Sequence, residues 1–281
     1  MLREVPIKGR QELKGGDVMS KESMRRTRRN ILAISGILAG ATFSRLGGVK
    51  TAKALNGGPC TPTDPDDCTC FMRGTLILTP NGERRIEDFR IGDSVATGTG
   101  DKSIEWIGRR RYRRGHGERW VESVKPIRIA TDALGPGVPY RDLFVSRRHC
   151  LFLDGILIPA ANLVNGSSIS VDAATEYDEI EYLHIKLAAH DIVCANGALS
   201  ETLWIQNSVT IERFDNFVEY ERLCGSKARV AEVPCAHVVS LHYGRDRLRS
   251  RVRSTLSPWH DRRNAFDKVR DRLEDRAKLI A

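Results

Sequence analysis

The sequence predicts an all-β domain followed by an amphipathic helical extension, and three observations carry that prediction. Between residues 74 and 205 the apolar residues come in short, often β-branched runs separated by turn formers, and only 160–164 has helical length. Turn signals such as Pro80-Asn81-Gly82, Asp154-Gly155 and Asn165-Gly166 fall between the runs, as hairpins require. At the C-terminus the pattern changes: Phe266, Val269, Leu273, Ala277 and Ile280 recur at helical spacing among charges.

Taken in order, residues 1–24 are polar and without periodicity, and Met19 and Met24 each stand just before a better-defined signal, so an internal start is an open alternative to Met1. A basic lead, Arg25-Arg26-Thr27-Arg28-Arg29, runs into a weakly apolar stretch at 31–43 and then a small-x-small site, Ala52-Lys53-Ala54. These 13 apolar residues are too few for a transmembrane helix, which needs ~20. Thr27-Arg28-Arg29-Asn30-Ile31-Leu32 resembles the twin-arginine export signal, which implies a leader over 1–54, cleavage after Ala54, and a periplasmic or secreted protein. The alternative is a buried or interfacial helix with a basic lead. Residues 55–69, rich in Gly, Pro and Asp, form a short flexible segment.

Cys70 opens the next stretch. It stands at the mouth of an apolar strand, Phe71-Met72-Arg73-Gly74-Thr75-Leu76-Ile77-Leu78, that ends in the Pro80-Asn81-Gly82 turn. Ile86-Glu87-Asp88-Phe89 and a Gly92-Asp93 turn lead into another strand. Further runs lie at 124–129, 143–145, 151–153, 156–158 and 169–171. Arg245 to Arg253 alternates Arg with Asp, Leu, Ser and Val, and Ser257-Pro258 reads as a helix start. The helix after it presents an Arg-rich face, read as a solvated surface helix packed on the β domain in preference to a nucleic-acid or lipid contact.

The 281 residues carry 45 basic and 36 acidic side chains, a net charge of +9 that resides mainly in the flanks. Such a charge suits a membrane surface, nucleic acid or an acidic partner, and says nothing of the fold. No aromatic-lined basic sheet or recognition motif supports nucleic-acid binding. Seven cysteines (Cys60, Cys68, Cys70, Cys150, Cys194, Cys224, Cys235) are an odd number, so any all-disulfide scheme leaves a thiol to explain. No two pairs stand at zinc spacing, so no metal is expected. Cys60 and Cys68 lie close to Cys70 on a flexible tail, and in an oxidising compartment either a disulfide to Cys70 or a Cys60-Cys68 bridge is open.

The order Cys70, strand, turn, Ile86-Glu87-Asp88-Phe89, Gly92-Asp93, strand resembles the opening of Hint domains, the self-processing modules shared by inteins and hedgehog autoprocessing domains. The resemblance continues through Ser146-Arg147-Arg148-His149, Tyr182-Leu183-His184-Ile185 and 190–203, and is close to Hint domains found alone in bacterial proteins. It implies a horseshoe-like β fold over 70–204, with a C-terminal extension over 205–281. It also implies that Cys70 attacks the carbonyl of Thr69 and converts the amide to a thioester, with no cofactor. Ser146-x-x-His149 resembles the family's Thr-x-x-His, so His149 is the expected proton donor and Ser146 an orienting hydroxyl. His184 stands near the position of a helper Asp and is the expected assistant; alone, it would equally suit the edge of a core. His190 is expected to cap the turn before Asp191.

Splicing in inteins needs a terminal His-Asn, where this chain places Glu201 and Thr202. The resemblance therefore implies cysteine-dependent self-cleavage of the chain's own N-terminal segment, completed by water or another nucleophile, without full splicing. The alternative is a catalytically idle Hint fold acting as an interaction module outside the cytoplasm. Asn196-Gly197, able in principle to form a succinimide, reads as a hairpin turn.

Overall fold

A computed structural model describes residues 69–206, 209–225, 231–239, 245–258 and 263–280. Arg28, Arg29, Ala52, Ala54, Cys60 and Cys68, with both internal methionines, lie outside these residues. The strands in chain order are β1 (Phe71–Met72), β2 (Leu76–Thr79), β3 (Gly82–Arg85), β4 (Ser94–Thr97), β5 (Gly100–Ser103), β6 (Trp106–Arg113), β7 (Ile127–Ile129) and β8 (Leu143–Val145). There follow β9 (Cys150–Leu153), β10 (Ile156–Pro159), β11 (Ile169–Val171), β12 (Glu179–Lys186), β13 (Ile192–Ala195), β14 (Ala198–Glu201) and β15 (His237–Val238). One sheet has the order β11-β7-β8-β1-β12-β6; the other runs β15-β10-β9-β14-β13-β2-β3, with β4 and β5 joined to β13. The fold is all-β with a helical C-terminal extension, as the sequence predicts.

The topology puts the short strand β1 in the middle of its sheet. Phe71 pairs with Leu183 of β12 on one side and Val145 of β8 on the other. Thus the residue just before β1, Cys70, is delivered between the end of β8 and the middle of β12. The hairpin between β13 and β14 turns at Asn196 and Gly197, both with positive φ (47° and 88°), the geometry a tight two-residue turn demands. The Asn196 carboxamide accepts the Leu76 N–H at 2.8 Å and donates to the Asp142 carbonyl at 2.9 Å, so the turn reading holds and the amide is tied down.

β6 has no counterpart in the sequence reading, because Arg109, Arg110, Arg111 and Arg113 conceal it. It pairs with β12 over eight positions, from Trp106↔Lys186 to Arg113↔Glu179. The arginines lie beside carboxylates: Arg111 is 2.9 Å from Glu181, Arg113 2.6 Å from Glu179 and Arg110 3.1 Å from Asp215. The exposed pairs, Arg113–Glu179 and Arg110–Asp215, contribute about 0–1 kcal/mol each, so the ladder, the buried Glu181 and the buried Trp106 and Ile107 hold the strand. Its outer edge is closed from beyond the β domain. The Arg109 N–H donates to Asn216 at 2.9 Å, the Arg111 N–H to Asp215 at 2.8 Å, and the Asp215 N–H to the Arg109 carbonyl at 2.8 Å. Phe214 rests on Gly108, where a Cβ would stand 2.5 Å from its ring.

Helices are short at first: α1 (Ala160–Leu163), where the sequence allowed one, then α2 (Val209–Glu212) and α3 (Phe217–Cys224). Ile205, Ile211, Phe214 and Tyr220 join Cys70, Met72, Trp106, Trp120 and Tyr182 in a second apolar cluster. Two longer helices follow, α4 (Arg245–Thr255) and α5 (Ala265–Ile280). Ser257-Pro258 is therefore not a helix start: it lies in the turn after α4. The N-terminus of α5 is set instead by Asn264 and Asp267, whose side chains accept each other's backbone N–H at 2.8 and 3.1 Å. The expected packing of this helix on the β domain is present. Val269 and Leu273 are fully buried in the main core with Phe71, Ile77, Val145 and Leu183, and such burial stabilises by about 1.5–3 kcal/mol per side chain. Among the described residues no helix is long and apolar enough to cross a membrane.

Candidate functional site

The site forms where the start of β1 meets the turn after β8. The Cys70 N–H donates to Ser146 Oγ at 2.7 Å, and the Ser146 N–H donates back to the Cys70 carbonyl at 2.9 Å. Cys70, Ser146 and His149 are all buried. A tight turn carries Ser146 to His149, whose N–H donates to the Ser146 carbonyl at 3.2 Å. The start of α1 braces that turn from below: Ala160 and Ala161 donate to the carbonyls of His149 and Arg147, each at 2.9 Å.

His184 enters from β12, opposite Gly108. Its Nδ1 lies 3.3 Å from the Thr69 hydroxyl and its Nε2 3.4 Å from the Glu201 carbonyl. A carbonyl can only accept, so Nε2 carries the proton and the Thr69 hydroxyl donates to Nδ1. His149 and His184 stand with ring centroids 5.1 Å apart, and Phe71 touches both, at 4.1 and 5.8 Å. The structure thus brings Cys70, Ser146, His149 and His184 into one buried cluster with the half-buried Thr69 at its edge.

Burial decides the electrostatics. It pushes the His184 imidazole down to about 4, against the opposing pull of the Glu201 carboxylate and of hydrogen bonds to the Glu201 and Thr69 backbone. His149 falls well below its ordinary value for the same reason, with His184 and His190 adding to the effect. Both rings are therefore neutral at pH 7, and among the described residues neither ring nitrogen of His149 has a hydrogen-bond partner.

Glu201 organises the far side of the cluster. Besides its carbonyl contact with His184, its carboxylate accepts the Cys150 N–H at 2.8 Å and lies 3.5 Å from His190 Nε2. Burial and this carboxylate together push the Cys150 thiol far up. His190 does not cap the turn before Asp191. It is buried, accepts the Cys235 N–H at 3.1 Å, and stacks on Trp204 with centroids 5.9 Å apart. The Thr202 hydroxyl accepts the Asp191 N–H at 2.9 Å. Sequence reasoning placed Glu201 by alignment only; its partners Cys150 and His184 lie 51 and 17 residues back on other strands, beyond the reach of local spacing. Among the described residues no group of three or more His, Cys, Asp or Glu is placed to share a metal ion.

The sequence model of the Hint domain family matches residues 69–207. No curated protein matches the chain. Among solved structures the chain is similar to a bacterial intein-like domain from Clostridium thermocellum, at 15% identity and a TM-score of 0.36, covering 48% of this chain and 99% of that one. It is also similar to the gp41-1 intein, at 16% identity and a TM-score of 0.34, covering 47% of this chain and 96% of that one. The MchDnaB-1 intein matches at 11% identity and a TM-score of 0.33, with 47% and 99% covered. With its family match spanning the same residues that gather Cys70, Ser146, His149 and His184, the chain belongs, through residues 69–207, to the Hint domain family.

Proposed function

We propose that this Hint domain cleaves its own chain at the Thr69-Cys70 bond by an N-to-S acyl shift, without splicing, in a protein exported through its twin-arginine leader. The observation that carries the reading is the grip on both sides of that peptide bond. Ser146 Oγ holds the Cys70 nitrogen at 2.7 Å, and His184 holds the Thr69 side chain at 3.3 Å. The Cys70 sulfur attacks the Thr69 carbonyl carbon, the C–N bond breaks, and the proton lost by the thiol ends on the Cys70 nitrogen. A neutral His149 suits that transfer better than a charged one. It accepts the thiol proton, becomes an imidazolium that its buried surroundings disfavour, and passes the proton on to the departing amine. Water or a small thiol then opens the thioester, leaving Cys70 as the new N-terminus. Holding the reacting atoms in one buried cluster supplies much of the rate, because effective molarities of well-oriented groups reach ~10⁵ M or more.

Glu201 and Thr202 support the lack of splicing, since a carboxylate and a hydroxyl that serve Cys150 and Asp191 cannot cyclise as a terminal Asn does. The second reading is an idle Hint fold that serves as an interaction module. It is favoured by the ring nitrogens of His149, which have no hydrogen-bond partner among the described residues. Intact mass separates the two. The wild type, incubated with dithiothreitol or hydroxylamine, is expected to yield a chain beginning at Cys70, and Cys70→Ala to stay whole. Wild-type protein that remains uncut under both nucleophiles favours the idle fold.

A further inference from the structure

Thr69 supplies the acyl group of the proposed cut, and the domain meets that residue through its side chain. The Thr69 hydroxyl lies 3.3 Å from His184 Nδ1. The other ring nitrogen decides the direction of this hydrogen bond: Nε2 faces the Glu201 carbonyl at 3.4 Å, and a carbonyl only accepts. Burial keeps the ring neutral, with a single proton. With Nε2–H turned to Glu201, Nδ1 is left as an acceptor that calls for a donor.

This acceptor is held in place from behind. β14 pairs Glu201 with Ile192, the Glu201 carboxylate takes the Cys150 N–H at 2.8 Å, and the Leu203 N–H bonds the Ile185 carbonyl, next to His184, at 2.8 Å. His184 itself is fully buried on β12, opposite Gly108, with the Phe71 ring 5.8 Å away. A switch of tautomer would set a bare Nε2 against the Glu201 carbonyl, two acceptors facing each other. The side chain before Cys70 must therefore donate.

We infer that His184 makes the domain selective for a β-hydroxy residue, Thr or Ser, immediately upstream of Cys70. The inference rests on the proposed cut at Thr69-Cys70 and gives that cut a substrate class. Ser146 grips the amine side of the bond, taking the Cys70 N–H at 2.7 Å and donating to the Cys70 carbonyl at 2.9 Å. The Thr69 hydroxyl fixes the acyl side, so the peptide is held on both sides of the bond that breaks. A residue of the same shape without the hydroxyl loses that hold and leaves a buried ring nitrogen without a donor. Sites built around a substrate hydroxyl reject such analogues steeply.

Two substitutions at one position test it. Thr69→Val keeps the β-branched shape and removes the hydroxyl, whereas Thr69→Ser keeps the hydroxyl. With dithiothreitol as the nucleophile and intact mass followed over time, Thr69→Val is expected to release the chain beginning at Cys70 about tenfold more slowly than either the wild type or Thr69→Ser. A second readout needs no cleavage. In a Cys70→Ala background, nitrogen NMR of labelled histidine should show the His184 Nδ1 signal moving to that of an unbonded ring nitrogen in Thr69→Val and staying in place in Thr69→Ser. Thr69→Val that cuts as fast as the wild type overturns the inference and leaves the self-cleavage reading standing. A wild type that stays whole overturns both. An Nδ1 that carries the ring proton, or a signal indifferent to Thr69→Val, shows that the hydroxyl donates nothing there and overturns the inference as well.

Discussion

Lowering the pH from 7 to 5 should cost this fold about 2 kcal/mol through His184, with His149 acting in the same direction. A histidine unfolds to an ordinary value near 6.5, whereas folded His184 titrates at about 4. Between those values the unfolded chain binds a proton that the folded chain refuses, so stability is fully present above about 6.5 and falls as pH drops towards 4. For His184 the loss between pH 7 and 5 is roughly 2 kcal/mol. His149, which burial also holds well below its ordinary value, acts in the same direction. Asp142, Glu181 and Asp267, whose carboxyls are held below their ordinary values by hydrogen bonds and arginines, lose their contribution at lower pH, beneath this window. Urea unfolding at pH 5, 6 and 7, in a Cys70→Ala background that keeps the chain whole, gives the slope. Replacing His184 by Gln should remove close to one proton's worth of slope whatever it does to absolute stability. If Cys70→Ala and Cys70→Ala/His184→Gln lose stability in parallel over this range, His184 is not held neutral by burial and the electrostatic argument for the site fails.

Three other perturbations follow from specific contacts. Ser146→Ala leaves the buried Cys70 N–H without its 2.7 Å acceptor; the expected cost is about 1–3 kcal/mol, read by denaturant midpoint, and any self-cleavage seen by intact mass should slow. Gly108→Ala drives a methyl group to 2.5 Å from Phe214, with an expected cost of about 1–3 kcal/mol; adding Phe214→Ala should recover part of it, and a purely additive double variant contradicts the assigned contact. Arg28→Lys with Arg29→Lys keeps the charge of the leader but removes the guanidinium pair, so mature protein outside the cytoplasm should disappear, and wild-type levels of it there would discredit the proposed export route.

The sequence exposed those features whose signals are local. Cys70 before an apolar strand, Ser146-x-x-His149, and the Phe266, Val269, Leu273 spacing of α5 are each complete within a few residues, and each is where the fold puts it. β6 was hidden because its arginines are satisfied by Glu179, Glu181 and Asp215, residues 66 to 105 positions away, so no local signal marks it as a strand. The start of α5 was misplaced because Ser257-Pro258 mimics a cap, while the reciprocal bonds of Asn264 and Asp267 show only in three dimensions. α4 escaped because its buried face is polar and no apolar periodicity marks the side that packs. The neutrality of His149 and His184 depends on depth, which motif order does not encode.

Val269 and Leu273 complete a core whose other members begin at Phe71. A ribosome therefore delivers the family domain, ending near residue 207, well before it delivers the side chains that seal it. During synthesis the nascent domain has an open apolar wall where α5 will later dock. If the cut at Thr69-Cys70 needs the tight packing around Phe71, it waits for the downstream segment to be made and to fold back. On the proposed self-cleavage, the C-terminal helix then sets the earliest moment of the cut, which cannot precede the synthesis of residue 273.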